Sequence, residues 1–253
     1  MKTQIFLSGK RTTALLIGLA LLSAVSGCGK TSQINDSAAV PANAPVSDSG
    51  TDAPADSSAD SEADSNTDAN GDTSIHVVAV GDNLVQQCVY QSAQAHSQDG
   101  TSYNFDYCYD NIKPLINGDL NIINQETLIC GDGFEVSGSN FNFNSPTELG
   151  DAVVGMGFNV ITMCNNHLLD KGESGLNSCL NYWDQKMQQY PDLLTCGVYR
   201  DYVDMQNIRT KEFNGKTVAF LSYTENTNGY SLPDNSELEI IYTSQEDLIQ
   251  QQI

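Results

Sequence analysis

Basic residues are what this sequence has least of. Its 11 Lys and Arg stand against 32 Asp and Glu, for a formal net charge of −21. Nucleic acid is thereby excluded as a partner, because no basic patch exists to neutralise phosphates. The cysteines never occur as a C-x-x-C pair, which argues against a structural zinc cluster. After the N-terminal segment no run is apolar enough to span a bilayer. Histidine is scarce as well: only His76, His96 and His167 occur, and none follows His167.

What is present begins with a targeting segment. Lys2, Lys10 and Arg11 precede an apolar run over residues 14–22, and Val25-Ser26-Gly27-Cys28 follows. Small residues before a cysteine are similar to a bacterial lipobox. Residues 1–27 are therefore read as a lipoprotein signal peptide, cleaved before Cys28, whose thiol carries the lipid. An ordinary signal peptide or an N-terminal membrane anchor is the alternative. Residues 28–73 form a disordered linker of Ser, Asp, Ala, Thr, Asn and Pro, in which every charge from 48 to 72 is acidic. Such a stretch buries too little surface to offset its ordering entropy, and like charges keep it extended as a tether. Its Asp-rich repeats attract hard cations but lack a glycine-bearing loop of ligand spacing, so the solvated tether is preferred.

Six cysteines follow Cys28: Cys88, Cys108, Cys130, Cys164, Cys179 and Cys196. An even number outside the cytosol permits disulfides. Cys164 and Cys196 end two strands expected to be neighbours and are the first candidates for a bridge. Otherwise these are small buried residues.

Residues 74–253 read as an α/β domain. Short apolar runs at 75–80, 119–123, 159–164 and 193–196, the third rich in β-branched residues, predict buried strands. Between them lie helical stretches at 84–95, near Pro114, from Pro146 to Met156, and at 174–189. In the third, Asn144 or Ser145 is placed to cap, Glu148 to complete a capping box, and Gly157 to end the helix. Leu176, Leu180, Trp183 and Met187 share one face of the last. Alternation of this kind predicts a parallel sheet. Segments 208–213 and 216–224 form a hairpin around Asn214-Gly215. Residues 96–102, 131–140 and 226–236 are loops. A short strand at 240–243 and a helix from 245 complete the chain.

The chemistry gathers where strands end. The first predicted strand stops at Gly81-Asp82, the second at Asn124-Gln125-Glu126, and the third at Asn165-Asn166-His167, with Asp170 and Gly172 beyond. Ligand groups in open α/β sheets collect at the carboxyl ends of strands. Alone, each residue is ordinary: Asp82 as a turn acid, Glu126 as a helix-start acid, the asparagines and His167 as loop residues. Jointly, two carboxylates, amide oxygens and an imidazole make a mixed oxygen and nitrogen site suited to Mn, Fe, Zn or Mg. Paired ions in such a site activate water and clamp an in-line displacement. His76 is read as strand surface and His96 as loop.

With those residues in view, the stretch 75–253 resembles the CapA family of poly-γ-glutamate capsule proteins, which is similar in fold to the calcineurin-like metallophosphatases. The matching residues are Val80-Gly81-Asp82, Asn124-Gln125-Glu126, Phe141 to Pro146, Gly157-Phe158, Asn165-Asn166-His167 with Asp170 and Gly172, Gly197, and the strand from Val218 to Thr224. The resemblance implies a layered α/β sheet with Asp82, Asn124, Glu126 and Asn166 at the metal-ligand positions of a site for one or two divalent ions. It implies that His167 donates a proton or steadies developing negative charge, and that Asp170 orients it. It further implies a lipid-anchored protein on the extracytoplasmic face of the cell membrane. Its partners would be an anionic polymer such as poly-γ-glutamate and other capsule-synthesis membrane proteins. A metal-dependent phosphoesterase and a non-catalytic scaffold with a degenerate site are the alternatives. Family members continue into strands carrying an H-x-G element and paired histidines, so the chain is expected to be the N-terminal part of a longer protein, its domain incomplete at the C-terminal side. Cys164 stands where the family pattern expects a small residue.

Overall fold

A computed structural model describes residues 74–253 except 132, 140 and 214, together with the backbone of residues 2–8. Cys28, the apolar run at 14–22 and the acidic stretch at 48–72 lie outside the described residues. Among the described residues no helix is long and apolar enough to cross a membrane.

The centre of the domain is a parallel sheet of four strands: β2 (Val77–Asp82), β3 (Leu120–Asn124), β6 (Val160–Thr162) and β7 (Leu194–Cys196), in that spatial order. The predicted α/β class and parallel sheet are thus what forms. The register sets Asp82 beside Asn124, Asn124 beside Thr162, and Thr162 beside Cys196, so the carboxyl ends of all four strands lie level. Between Ala79 and Asp82 the pairing of β2 with β3 shifts, and the strand carries Gly81 and Asp82 within it rather than stopping at Val80. The remaining strands number in chain order. β1 (Lys2–Ser8) lies antiparallel along β10 (Lys216–Tyr223), whose other edge pairs with β9 (Arg209–Phe213). Residues 2–8 belong to the stretch read as signal peptide. The hairpin predicted around Asn214-Gly215 is formed, with Phe213 opposite Lys216. β4 (Ser137–Ser139) and β5 (Asn142–Asn144) make a small hairpin where a loop was expected up to residue 140. β8 (Val198–Tyr199) pairs with β11 (Glu239–Ile240).

The helices are α1 (Gln87–Ala95), α2 (Asp106–Tyr109), α3 (Thr147–Gly155), α4 (Gly172–Gln189), α5 (Tyr202–Met205) and α6 (Glu246–Gln252). Near Pro114 only a single 3-10 turn forms, over Lys113–Leu115. The predicted cap of α3 does not form. Pro146 occupies the cap position with extended backbone and no side-chain bond. Asn144 instead accepts from the Cys130 amide at 2.9 Å, and Ser145 bonds Thr127 at 2.6 Å and Tyr90 at 2.9 Å. Buried polar side chains go where backbone groups would otherwise stay unpaired, and here the β3–β5 connection makes that demand.

Three layers result. On one face of the parallel sheet, Ile123, Ile161 and Met163 pack against Val153 and Met156 of α3 and Leu176, Leu180 and Trp183 of α4. On the other, Leu120, Ile122, Val160 and Cys196 meet Val218 and Phe220 of β10. Each fully buried side chain of this size contributes about 1.5–3 kcal/mol relative to exposure. The six described cysteines are unbridged. Cys164 and Cys196 therefore remain two free thiols, the former against the Ile241 carbonyl and the latter packed with Val218 and Phe220. Gly197 permits the close approach of their strands: its φ is +102°, and a Cβ there would lie 2.6 Å from that of Cys164.

Candidate functional site

The level strand ends bring the predicted metal-ligand residues Asp82, Asn124, Glu126 and Asn166 to one polar cleft of about 190 Å³, with His167 3.8 Å from Glu126. β2 supplies Asp82, the end of β3 supplies Asn124 and Glu126, and the turn after β6 supplies Asn165 and Asn166. None of the lining residues is basic. Two predicted metal ligands, Asp82 and Glu126, face one another with no cation of the protein between them. Burial and then the Asp82 charge push the Glu126 carboxyl up from 4.5 to about 7, partly opposed by His167. The donor set is therefore one that an added divalent cation would relieve, and hard, oxygen-preferring ions fit it. Among the described residues no three or more His, Cys, Asp or Glu side chains converge as a complete metal-binding group. The cleft is lined by three carboxylates, Asp82, Glu126 and Glu225, with amides around them, which is part of a ligand set.

Asn124 is spent differently from the expectation. Its Nδ2 donates to Asp82 Oδ1 at 2.7 Å and its Oδ1 accepts from the Thr162 hydroxyl at 3.2 Å. Since a carboxylate only accepts, the amide nitrogen must face Asp82. Asn124 holds Asp82 in place and offers no free oxygen in this arrangement. Asn165 likewise builds the turn. Its Oδ1 accepts from the His167 amide at 2.9 Å, and its Nδ2 donates to the Gln125 and Met163 carbonyls at 3.1 and 3.0 Å.

His167 is not a loosely held loop residue; it is 4 % exposed. Its Nδ1 donates to Asp170 Oδ2 at 2.8 Å, and its Nε2 lies 3.8 Å from Glu126 Oε1. Phe143 stands edge-on to the imidazole, with ring centres 4.8 Å apart. Asp170 Oδ2 also accepts from the Phe143 amide at 2.7 Å, so the carboxylate is fixed from two sides, while its buried Oδ1 has no partner among the described residues. Burial works to lower the His167 pKa, but the bond to Asp170 and the Asp170 and Glu126 charges outweigh it and raise the imidazole. With the Nδ1 proton committed to Asp170, Nε2 is the atom that gives or takes a proton on the cleft side.

A fourth contribution comes from the end of β10, which the sequence reading treated only as strand and loop. Thr224, Glu225 and Asn226 line the cleft opposite Asp82. Beyond them Asn228 reaches the Asn-Asn-His turn: Asn166 Nδ2 donates to its Oδ1 at 3.3 Å, and its Nδ2 lies 3.3 Å from His167 Nδ1. The signal was the same one that marked the other three strand ends, an apolar run stopping abruptly at polar residues. His76 and His96 are far from this chemistry; His96 stacks on Tyr107 with ring centres 3.8 Å apart.

The layered α/β domain with its parallel central sheet has the architecture of a metallophosphatase-like fold. The chain belongs to the family described as bacterial capsule synthesis protein PGA_cap, whose model matches residues 76–251. It is similar to the capsule biosynthesis protein CapA of Bacillus anthracis, with 26% identity over 127 residues, covering 49% of this chain and 30% of that relative. The chain therefore corresponds to less than a third of the length of the relative it matches.

Proposed function

We propose that the protein to which this chain belongs acts in capsule biosynthesis on the extracytoplasmic face of the cell membrane, held there by a lipid on Cys28. Its substrate or cargo is an anionic polymer such as poly-γ-glutamate, and its neighbours are other capsule-synthesis membrane proteins. The single observation behind a chemical role is that His167, bonded to Asp170, stands with Nε2 3.8 Å from Glu126, which lines the same cleft as Asp82.

A polyanion and a −21 chain repel one another. Divalent ions between them convert that repulsion into a bridge. Asp82 and Glu126 would hold such an ion, with the Asn166 amide oxygen beside them and Asn124 steadying Asp82. The ion supplies charge neutralisation and polarises a carbonyl or phosphoryl oxygen. The protein's own part is proton handling: His167 Nε2 delivers or accepts the proton, and Asp170 keeps the ring in the tautomer that leaves Nε2 available. Hydrolysis and transfer of a polymer end both fit that division of labour.

The test uses the complete protein, loaded with Mn, Zn or Mg and offered poly-γ-glutamate or a phosphodiester. Metal-dependent cleavage or transfer of the polymer, lost in His167→Ala, is the expected result. Turnover of phosphodiesters alone would make it a phosphoesterase. Absence of metal binding and of turnover would leave a scaffold. The anchor is checked separately: the membrane-fraction protein should carry a diacylglyceryl mass on Cys28, and an unmodified mature N-terminus would refute it.

A further inference from the structure

The turn after β10 holds a residue whose side chain reaches across to the Asn-Asn-His turn. Asn228 has φ +54°, a left-handed conformation that a non-glycine residue adopts at a cost. The turn is braced from within: the Asn228 amide donates to Asn226 Oδ1 at 3.0 Å, and Thr227 Oγ1 donates to the Tyr230 carbonyl at 2.5 Å. The side chain so presented is aimed at the Asn-Asn-His turn across the cleft rim. Its Oδ1 takes the Asn166 Nδ2 proton at 3.3 Å.

We propose that Asn228 is a positioning residue that turns the Asn166 amide oxygen toward Asp82 and Glu126, where a divalent cation takes it as a ligand. The inference rests on the cation reading of the cleft given above. Its geometry is that of a planar carboxamide. Once Nδ2 is committed to Asn228, Oδ1 points away from that bond, and no donor among the described residues engages it. Asn166 lines the same cleft as Asp82 and Glu126. The 3.3 Å approach of Asn228 Nδ2 to His167 Nδ1 is packing and not a second bond, because Nδ1 already gives its proton to Asp170 at 2.8 Å. Asn228 thus lies against both Asn166, which lines the cleft, and His167, which stands beside Glu126. Partners that orient metal ligands in this way govern affinity without touching the metal.

Two variants of the complete protein test this. Asn228→Gly keeps the left-handed backbone at no steric cost and removes the amide. Asn228→Asp keeps an oxygen acceptor for Asn166. Manganese binding, followed by the paramagnetic resonance of free Mn2+, should weaken about 10-fold or more in the glycine variant and recover in the aspartate variant, with thermal midpoints unchanged. Wild-type affinity in the glycine variant would overturn the proposal. The Asn166 side-chain amide resonance, read without metal, should shift in Asn228→Gly and return in Asn228→Asp; an unmoved resonance would also overturn it. Absence of Mn2+ binding in the wild type would sink the cation reading instead, and the amide resonance would then report whether Asn228 holds Asn166.

Discussion

The two walls of the cleft are built on opposite principles. On one side His167 and Asp170 are buried, bonded to one another at 2.8 Å and pinned by the Phe143 amide and ring. On the other, Asp82 and Glu225 are exposed, and Asp82 accepts from the Asn124 amide at 2.7 Å. On the proposed reading, the difference would separate two tasks. A proton-handling pair needs one fixed tautomer and orientation, which only packing and hydrogen bonds supply. A cation-facing wall needs unspent oxygen atoms, which stay stable only in contact with water or an ion. Glu126 stands between the walls and registers both, pushed toward neutrality by burial and by Asp82 and pulled back by His167.

Breaking the buried wall should cost the most. Asp170→Ala leaves the Phe143 amide and the His167 imidazole without their shared acceptor, and a loss of about 3 kcal/mol in denaturant unfolding is expected. A loss no larger than that of an exposed substitution would erase the distinction between the walls.

Glu126→Gln probes the boundary. A carboxyl raised from 4.5 to about 7 in the fold binds its proton more tightly than in the unfolded chain. Its contribution is therefore fully present below about pH 4.5 and is lost as pH rises through about 7, with a ceiling of about 3 kcal/mol at 1.36 kcal/mol per unit. Metal-free wild type should lose stability from about pH 5 to about pH 8, while the glutamine variant stays flatter and becomes the more stable at the upper end. Parallel profiles for the two proteins would show that neither burial nor Asp82 raises the Glu126 carboxyl.

The smallest effect on the fold belongs to the open wall. Asp82→Asn should shift unfolding by less than about 0.5 kcal/mol, as exposed substitutions do. Its metal content should nonetheless fall; equal metal in both proteins would remove Asp82 from the ligand set.

Much of the scaffold was legible in the sequence because short-range rules write it. Segments 119–123, 159–164 and 193–196 are too short for helices, and the Leu176-Leu180-Trp183 spacing fixes the buried face of α4. Asn214-Gly215 specifies its hairpin. Three of the four strand ends were legible for the same reason. The fourth, at Thr224 to Asn228, ends in the same abrupt change from apolar to polar, but its strand belongs to an antiparallel hairpin, and no local rule brings that hairpin's end to the ends of the parallel strands. The α3 cap was misplaced because Asn144 and Ser145 are recruited by Cys130, Thr127 and Tyr90, residues 14 to 55 positions away.

The sequence by itself determined the alternation of strands and helices, the parallel sheet and the family, since periodicity, turn residues and motif spacing are properties of neighbours along the chain. Only the tertiary structure decided what each polar residue does. Asn124 holds a carboxylate, Asn165 builds a turn, and His167 is buried against Asp170 with its free nitrogen toward Glu126. Those roles follow from which hydrogen-bond partners remain once the layers have closed, and sequence separation carries no record of that.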